Sequence, residues 1–111
     1  MQPEDRTRIL HMIEAADAVS GFVTGRSRGA LDADLMLLFA LVRAVEIFGE
    51  AAARVSPSTK AASPEIPWQQ IVAMRNRLIH AYFDIDRDIL WKAATEELPE
   101  LLPRLRELIR D

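Results

Sequence analysis

Apolar residues recur along the chain at the three- and four-residue spacing of a helix face, and no segment shows the strict alternation of a half-buried strand. This pattern predicts an all-α protein with four helical segments. The first helix is expected from about Glu4 to Val23. The second is expected to begin at a capping acid, Asp32 or Asp34, and to run to about Val55.

Prolines and small polar residues separate the second and third predicted helices. Residues 56–67 contain three prolines and four serines or threonines, so we expect a loop there. Pro67 suits the first turn of the third helix, because its missing N–H group would find no partner in that turn anyway. This helix is expected from about Trp68 to His80 or Tyr82.

The fourth predicted helix carries two internal prolines. Asp84 or Asp86 is placed to cap its start, and the helix is expected to end near Arg110. Pro99 and Pro103 each lack the N–H group that a helix interior requires, so we expect them to kink or interrupt it. The segment is therefore one helix or two shorter pieces, which gives four or five helices in all.

The second predicted helix is apolar around most of its circumference. A helix of this kind in a small domain needs cover on more than one side. The rest of the chain can cover one side, and a partner chain can cover the other. The pattern therefore favours a dimer.

The composition is typical of one globular domain spanning residues 1–111. Half of the 111 residues are apolar and 28% are charged, which excludes a disordered chain. The absence of cysteine excludes disulfides and thiolate metal sites, and it favours a reducing cytoplasm. The first ten residues do not resemble a secretory signal, and the longest apolar run, residues 35–42, is too short to cross a membrane.

The formal net charge of −3 argues against nucleic-acid binding by bulk charge. Any contact with RNA would therefore need a local cluster of arginines. Arg26 and Arg28, which are flanked by glycines, and Arg77 in the third helix are candidates for such contacts. The alternative for Arg26 and Arg28 is a solvated pair on the surface.

Arg75 lies in the middle of the apolar face of the third helix, where an ordinary surface arginine is not expected. A guanidinium in that position must be paired or bound to an anion, because leaving it desolvated and alone is costly. Asn76 and His80 are four residues apart and share the neighbouring edge of the helix. Arg75, Asn76 and His80 can therefore meet in one small region beside Tyr82.

These residue types suit cleavage of RNA without a metal or another cofactor. Attack of a 2′-hydroxyl on the adjacent phosphate needs a base, an acid for the leaving oxygen, and positive charge beside the phosphorane. Histidine exchanges protons near neutral pH, and arginine offers donors matched to phosphate oxygens. One His80 can perform only one of the two proton transfers, and a two-fold dimer would supply a second histidine.

The same residues also have a purely structural interpretation. An arginine and a histidine near a helix end often serve as an ion-pair member and a capping group. Glu46 and Glu50 on the second helix support that alternative, and Glu46 lies in the apolar stripe, which favours a buried Glu46–Arg75 pair. The two interpretations are compatible, because a carboxylate that orients Arg75 would also support a catalytic site.

The chain resembles the HEPN superfamily, and within it the HepT-like toxins, over nearly its whole length. The family's Arg-x4-His motif has a polar residue after the arginine and a tyrosine two residues after the histidine. It matches RNRLIHAY at Arg75, Asn76, His80 and Tyr82. Flanking matches are RAVEIFGEAA at 43–52, IPW at 66–68, and FDID with the later LW that ends at Trp91. The bare motif is weak, and these flanks make it specific.

The resemblance implies an up-and-down bundle of four or five helices and a symmetric dimer with the two motifs facing across a cleft. It implies metal-independent endoribonuclease activity, with His80 in proton transfer, Arg75 in phosphate stabilisation and Asn76 in holding the site together. It also implies a type VII-like toxin–antitoxin pair, in which a minimal nucleotidyltransferase antitoxin neutralises the toxin by adding AMP to the motif tyrosine, here Tyr82. Phosphates on Tyr82 would compete with RNA for Arg75.

Two other functions fit the same fold. A non-catalytic HEPN subunit would present nucleotide or substrate to a nucleotidyltransferase, and the intact motif counts against it. A structural dimerisation domain would need no motif at all. Cleavage of RNA in the presence of EDTA separates the nuclease from the non-catalytic subunit.

Overall fold

The computed structural model describes residues 1–80 and 84–110, except for the side chains of residues 79 and 80. Every regular element in that part of the chain is helical, so the all-α prediction is confirmed. In chain order the elements are α1 (Pro3–Val23), α2 (Ala30–Ala33), α3 (Leu35–Ala53), α4 (Pro57–Ala62), α5 (Trp68–His80), α6 (Arg87–Lys92), a π-helical turn (Ala93–Glu97) and α7 (Leu98–Leu108).

The start of α3 is set by Asp34, one of the two acids that the sequence offered as a cap. Its carboxylate accepts hydrogen bonds from the backbone N–H groups of Met36, at 3.0 Å, and Leu37, at 3.2 Å. A hydrogen bond from Arg26, followed by those backbone groups, holds the pKa of Asp34 below its usual value. The other acid, Asp32, lies in the short helix α2, which the sequence did not predict.

The loop prediction for residues 56–67 is wrong for its first half, where the chain forms α4. The hydroxyl of Ser56 accepts a hydrogen bond from the backbone N–H of Thr59 at 3.4 Å, and Pro57 occupies the first helical position. Both signals are present in the sequence, but the helix is only six residues long. A helix this short is not stable by itself, so its formation depends on tertiary contacts.

Asp5, in the first turn of α1, supplies that tertiary contact. Its carboxylate accepts hydrogen bonds from the backbone N–H of Ser56 at 2.9 Å, the Ser56 hydroxyl at 2.5 Å and the Thr59 hydroxyl at 2.6 Å. These hydrogen bonds lower the pKa of Asp5, with the Ser56 hydroxyl as the largest cause and the Thr59 hydroxyl next. The side chain is only 3% exposed, so α4 and the start of α1 are joined through a buried carboxylate.

Replacement of Asp5 by alanine is expected to lower the free energy of unfolding by about 2–4 kcal/mol near neutral pH, because buried donors lose a charged acceptor. The folded-state pKa of Asp5 is lowered from 3.8, so its stabilising contribution is present above that pH and is lost as the pH falls through the folded-state value. Urea unfolding of the parent and of Asp5→Ala, from neutral pH downward, should therefore show that their difference in free energy of unfolding becomes smaller in acid.

Asp17→Ala is the matched control for this prediction. Asp17 is also on α1, but it is half exposed and makes a surface ion pair with Arg106 at 2.7 Å. Its removal should cost less than about 1 kcal/mol. An Asp5→Ala effect as small as this, or a gap that does not change with pH, would contradict the role given to the buried carboxylate.

The fourth predicted segment forms α6, the π-helical turn and α7. Asp86 caps α6 by accepting from the backbone N–H groups of Asp88 and Ile89, each at 3.1 Å. The backbone N–H of Leu98 reaches back five residues to the carbonyl of Ala93, which widens the turn just before Pro99. The expected interruption is therefore confirmed near Pro99, whereas Pro103 lies inside α7 without ending it.

The helix α3 lies at the centre of the fold. It packs against α1 on one side and against α5 on another, and α7 and the π-helical turn pack against α1. The largest fully buried side chains come from α1, α2, α3, α6, α7 and the loop before α5; they are Phe48, Ile9, Met12, Leu31, Leu41, Ile66, Leu90, Leu98, Leu105, Val19 and Val45. None of the helices in the described ranges has the length and apolar character of a membrane span.

Candidate active site

The site begins with a close crossing between α3 and α5. Gly49 faces Arg75 across this crossing, and a Cβ atom placed at Gly49 would overlap the Cβ and Cγ atoms of Arg75. It would also lie 3.3 Å from the backbone carbonyl of Ile71. Only a residue without a side chain lets the stem of Arg75 pack directly on the α3 backbone.

The guanidinium of Arg75 is held from two sides. Its Nη2 donates to Oε2 of Glu50 on α3, and its Nη1 donates to Oδ1 of Asn76 at 2.5 Å. The side chain is 22% exposed, so it is neither buried nor freely solvated. Among the described residues its Nε has no hydrogen-bond partner. Because a guanidinium has five N–H donors, further donors remain for an anion.

The carboxylate that meets Arg75 is Glu50, whereas the sequence favoured Glu46. Glu46 instead lies 3.4 Å from Arg43, three residues earlier on α3. The two glutamates are separated by about one helical turn, and the crossing at Gly49 puts Arg75 beside its neighbour Glu50. The carboxylate of Glu50 also accepts from Nε of Arg54 at 3.0 Å, so it joins two arginines.

His80 is the last residue of α5, and the helix register alone places it. Residues four apart lie on one face of a helix about 6 Å apart along the axis, so His80 shares a face with Asn76. The hydrogen bond to Asn76 brings the Arg75 guanidinium towards that same face. The His80 side chain and Tyr82 lie outside the described residues.

The three arginines proposed for RNA contact are not part of this site. Arg26 pairs with Asp34 at 2.6 Å, and Arg28 pairs with Asp88 at 2.6 Å and with Asp32 at 3.2 Å. Aspartates therefore neutralise Arg26 and Arg28, and the hydrogen bond to Asp88 raises the pKa of Arg28. Arg77 is exposed and faces the start of α6, away from the Arg75–Glu50 pair.

The sequence analysis did not identify two residues that contribute to the site. Gly49 lies in the EIFGEAA segment, inside a long apolar helix. A glycine there lowers helix stability, so its presence indicates a packing requirement that could have been noticed in the sequence. Arg54 gave no signal, because it lies near the helix end with ordinary surface spacing. Among the side chains that the structure describes, which leave out His80, no group of three or more His, Asp or Glu is arranged to hold a metal ion.

Comparisons with known proteins match the chain to one family model and to several relatives. The chain matches the family model described as ribonuclease HepT-like over residues 12–108. It is 44% identical to the "Probable ribonuclease HepT" of Thermococcus cleftensis over 63% of this chain and 64% of that protein, just under two thirds of its length. It is 34% identical to the "Putative RNase MJ1380" of Methanocaldococcus jannaschii over 81% of this chain and 83% of that protein.

A further relative aligns over almost the full length of both chains. The "Putative RNase TTE0752" of Caldanaerobacter subterraneus subsp. tengcongensis is 30% identical over 95% of this chain and 94% of that protein. No solved structure gave a significant match. Since the family model covers residues 12–108 and two relatives are at least 30% identical over most of both chains, the chain belongs to the ribonuclease HepT-like family.

Proposed function

We propose that this protein is a metal-independent endoribonuclease of the cytoplasm. The observation that carries the proposal is the Arg75 guanidinium, held by Glu50 and Asn76 on the side of α5 where the register puts His80. A positive group fixed in this way costs little to reorganise when charge develops on a bound phosphate. The family match supports RNA as the substrate.

In this mechanism the 2′-hydroxyl of one ribose attacks the adjacent phosphorus, and the bond from phosphorus to the 5′-oxygen of the next nucleotide breaks. One proton leaves the attacking hydroxyl and one is delivered to the departing oxygen, so the products are a cyclic phosphate and a 5′-hydroxyl. His80 moves one of these protons. Arg75 stabilises the phosphorane, and Asn76 positions the guanidinium.

The second proton transfer is assigned to a second copy of the chain. The outer side of α3 supports a homodimer, because Leu35 and Phe39 are each 62% exposed and Met36 is 83% exposed. Phe22, at the end of α1, adds to the same kind of surface at 40% exposure. Several large exposed apolar side chains on one helix are a feature expected of a protein interface. Light scattering during gel filtration should give twice the chain mass.

The decisive experiment is cleavage of a short RNA by metal-free protein with EDTA present. The expected products end in a cyclic phosphate and a 5′-hydroxyl, and EDTA should not lower the rate. Activity that requires added metal would contradict the proposal. Binding of nucleotide or RNA without cleavage would favour the non-catalytic subunit described above.

We further propose that the protein is the toxin of a type VII-like pair and is neutralised by a minimal nucleotidyltransferase antitoxin. That antitoxin would add AMP to Tyr82, two residues after His80, and the added phosphates would occupy the donors of Arg75. Intact-mass measurement after co-expression with the neighbouring gene should show AMP-sized increments that map to Tyr82. Neutralised protein of unchanged mass would contradict this regulation.

A further inference from the structure

A second group of arginines lies on the far side of Glu50 from Arg75. An open groove runs between α1 and the C-terminal half of α3, and we call it the basic groove. Its lining residues are Arg8, His11, Arg43, Ile47, Glu50, Ala51 and Arg54. Three arginines thus share one groove with a single carboxylate.

The charges in the basic groove are available to a ligand. The side chains of Arg43 and Arg54 are 72% and 61% exposed. The Nε atom of Arg8 is buried and has no hydrogen-bond partner among the described residues. A donor that is shielded from water and unpartnered is costly, so the described part of the chain leaves the Arg8 guanidinium incompletely satisfied.

The basic groove gathers positive charge, although the net charge of the whole chain is negative. The formal net charge is −3, and aspartates neutralise the arginines of the α1–α2 connection. In the basic groove Arg43 pairs with Glu46 at 3.4 Å, and Glu50 is shared between Arg54 and Arg75. Among the described residues, two carboxylates thus pair with three arginines there. An acidic protein that binds a polyanion must do so through a local field of this kind.

The basic groove is also continuous with the candidate active site. The carboxylate of Glu50 accepts from Arg54 through Oε1 and from Arg75 through Oε2. One end of the groove is therefore a single side chain away from the guanidinium that we assign to the scissile phosphate. A strand held at Arg75 would meet these arginines as it leaves the site.

We propose that the basic groove binds backbone phosphates of the RNA strand on one side of the cleavage position. This inference rests on the proposed function, because it takes Arg75 as the point where the strand is cut. The lining contains no Phe, Tyr or Trp side chain, and its only ring is that of His11. Three of its lining residues are arginines, which bind backbone phosphates, so the groove is expected to add affinity and orientation.

The test uses a single-stranded RNA with 2′-O-methyl groups, which cannot be cleaved, and measures its binding by fluorescence anisotropy at several salt concentrations. The double variant Arg8→Gln/Arg43→Gln should weaken binding by about tenfold, uniformly across sequences. Its slope of log affinity against log salt should be smaller by about 1.4, from about 0.7 for each lost phosphate contact. Arg43→Gln alone, at a well-exposed position, should lower the slope by about 0.7.

The matched control is Arg26→Gln/Arg28→Gln, which removes two arginines whose charges are already neutralised by aspartates. It should leave affinity and slope close to those of the parent. Thermal unfolding and the mass in solution are measured for every variant. The single variant keeps the test valid if loss of Arg8 destabilises the fold.

The possible results test the binding proposal for the basic groove separately from the proposed nuclease activity. An unchanged salt slope in both groove variants overturns the proposal that the basic groove binds RNA phosphates, whether or not the parent cleaves RNA. Loss of the dimer in Arg43→Gln also overturns it, because the groove would then be a contact between copies of the chain. A parent that binds the RNA with the expected dependence on Arg8 and Arg43 but never cleaves it supports the groove and contradicts the proposed function.

Discussion

Replacement of His80 by alanine is expected to lower the single-turnover rate of RNA cleavage by about two to four orders of magnitude, the usual contribution of a positioned proton-transfer group. The Arg75 guanidinium is held by side-chain hydrogen bonds to Glu50 and to Asn76. Phosphate binding should therefore survive, and affinity for the non-cleavable RNA should fall far less than the rate. The growth inhibition expected of the toxin should disappear with the cleavage.

Imidazole added to the buffer should restore part of the rate of His80→Ala, since a small base can enter the space of the missing ring. A merely structural role would give no such rescue. Gln69→Ala, at an exposed position of the same helix, is the control and should cleave RNA as the parent does. If His80→Ala keeps the fold and the dimer and cuts RNA at the parent's rate, the role given to His80 is wrong.

The second large effect is expected from Gly49→Ala, a change of one methyl group. The new Cβ would overlap the stem of Arg75, so either α5 must move away from α3 or the arginine must leave Glu50. Overpacking of this kind costs about 1–3 kcal/mol of stability. Displacement of Arg75 by about 1 Å should lower the cleavage rate by about a hundredfold. Urea unfolding and single-turnover cleavage measure the two effects.

Gly21→Ala is the matched control, because Gly21 is also inside a helix and a Cβ there meets nothing within 4 Å. It should raise the free energy of unfolding by up to about 1 kcal/mol through helix propensity and leave cleavage unchanged. The two glycine variants should therefore change stability in opposite directions. A Gly49→Ala protein as stable and as active as Gly21→Ala would show that the crossing does not position Arg75.

The predicted helices were reliable where the signal was local and long. The apolar repeat and the caps at Asp34 and Asp86 lie within one segment, so α1, α3 and α5 end within a few residues of their predicted bounds. The helix α4 was missed because six residues cannot form a stable helix without a buried partner. That partner is Asp5, which lies more than fifty residues earlier in the chain.

By itself the sequence determined the all-α class, the residues of the motif and the prediction that Arg75 needs a partner. Each of these follows from spacing along one helix and from the cost of an unpaired guanidinium. Only the tertiary structure decided that the partner is Glu50 and not Glu46, because the crossing at Gly49 selects one turn of α3 over the next. It also decided which arginines remain well exposed, since Asp88, sixty residues away in sequence, pairs with Arg28, whereas Arg43 and Arg54 lie open in the basic groove.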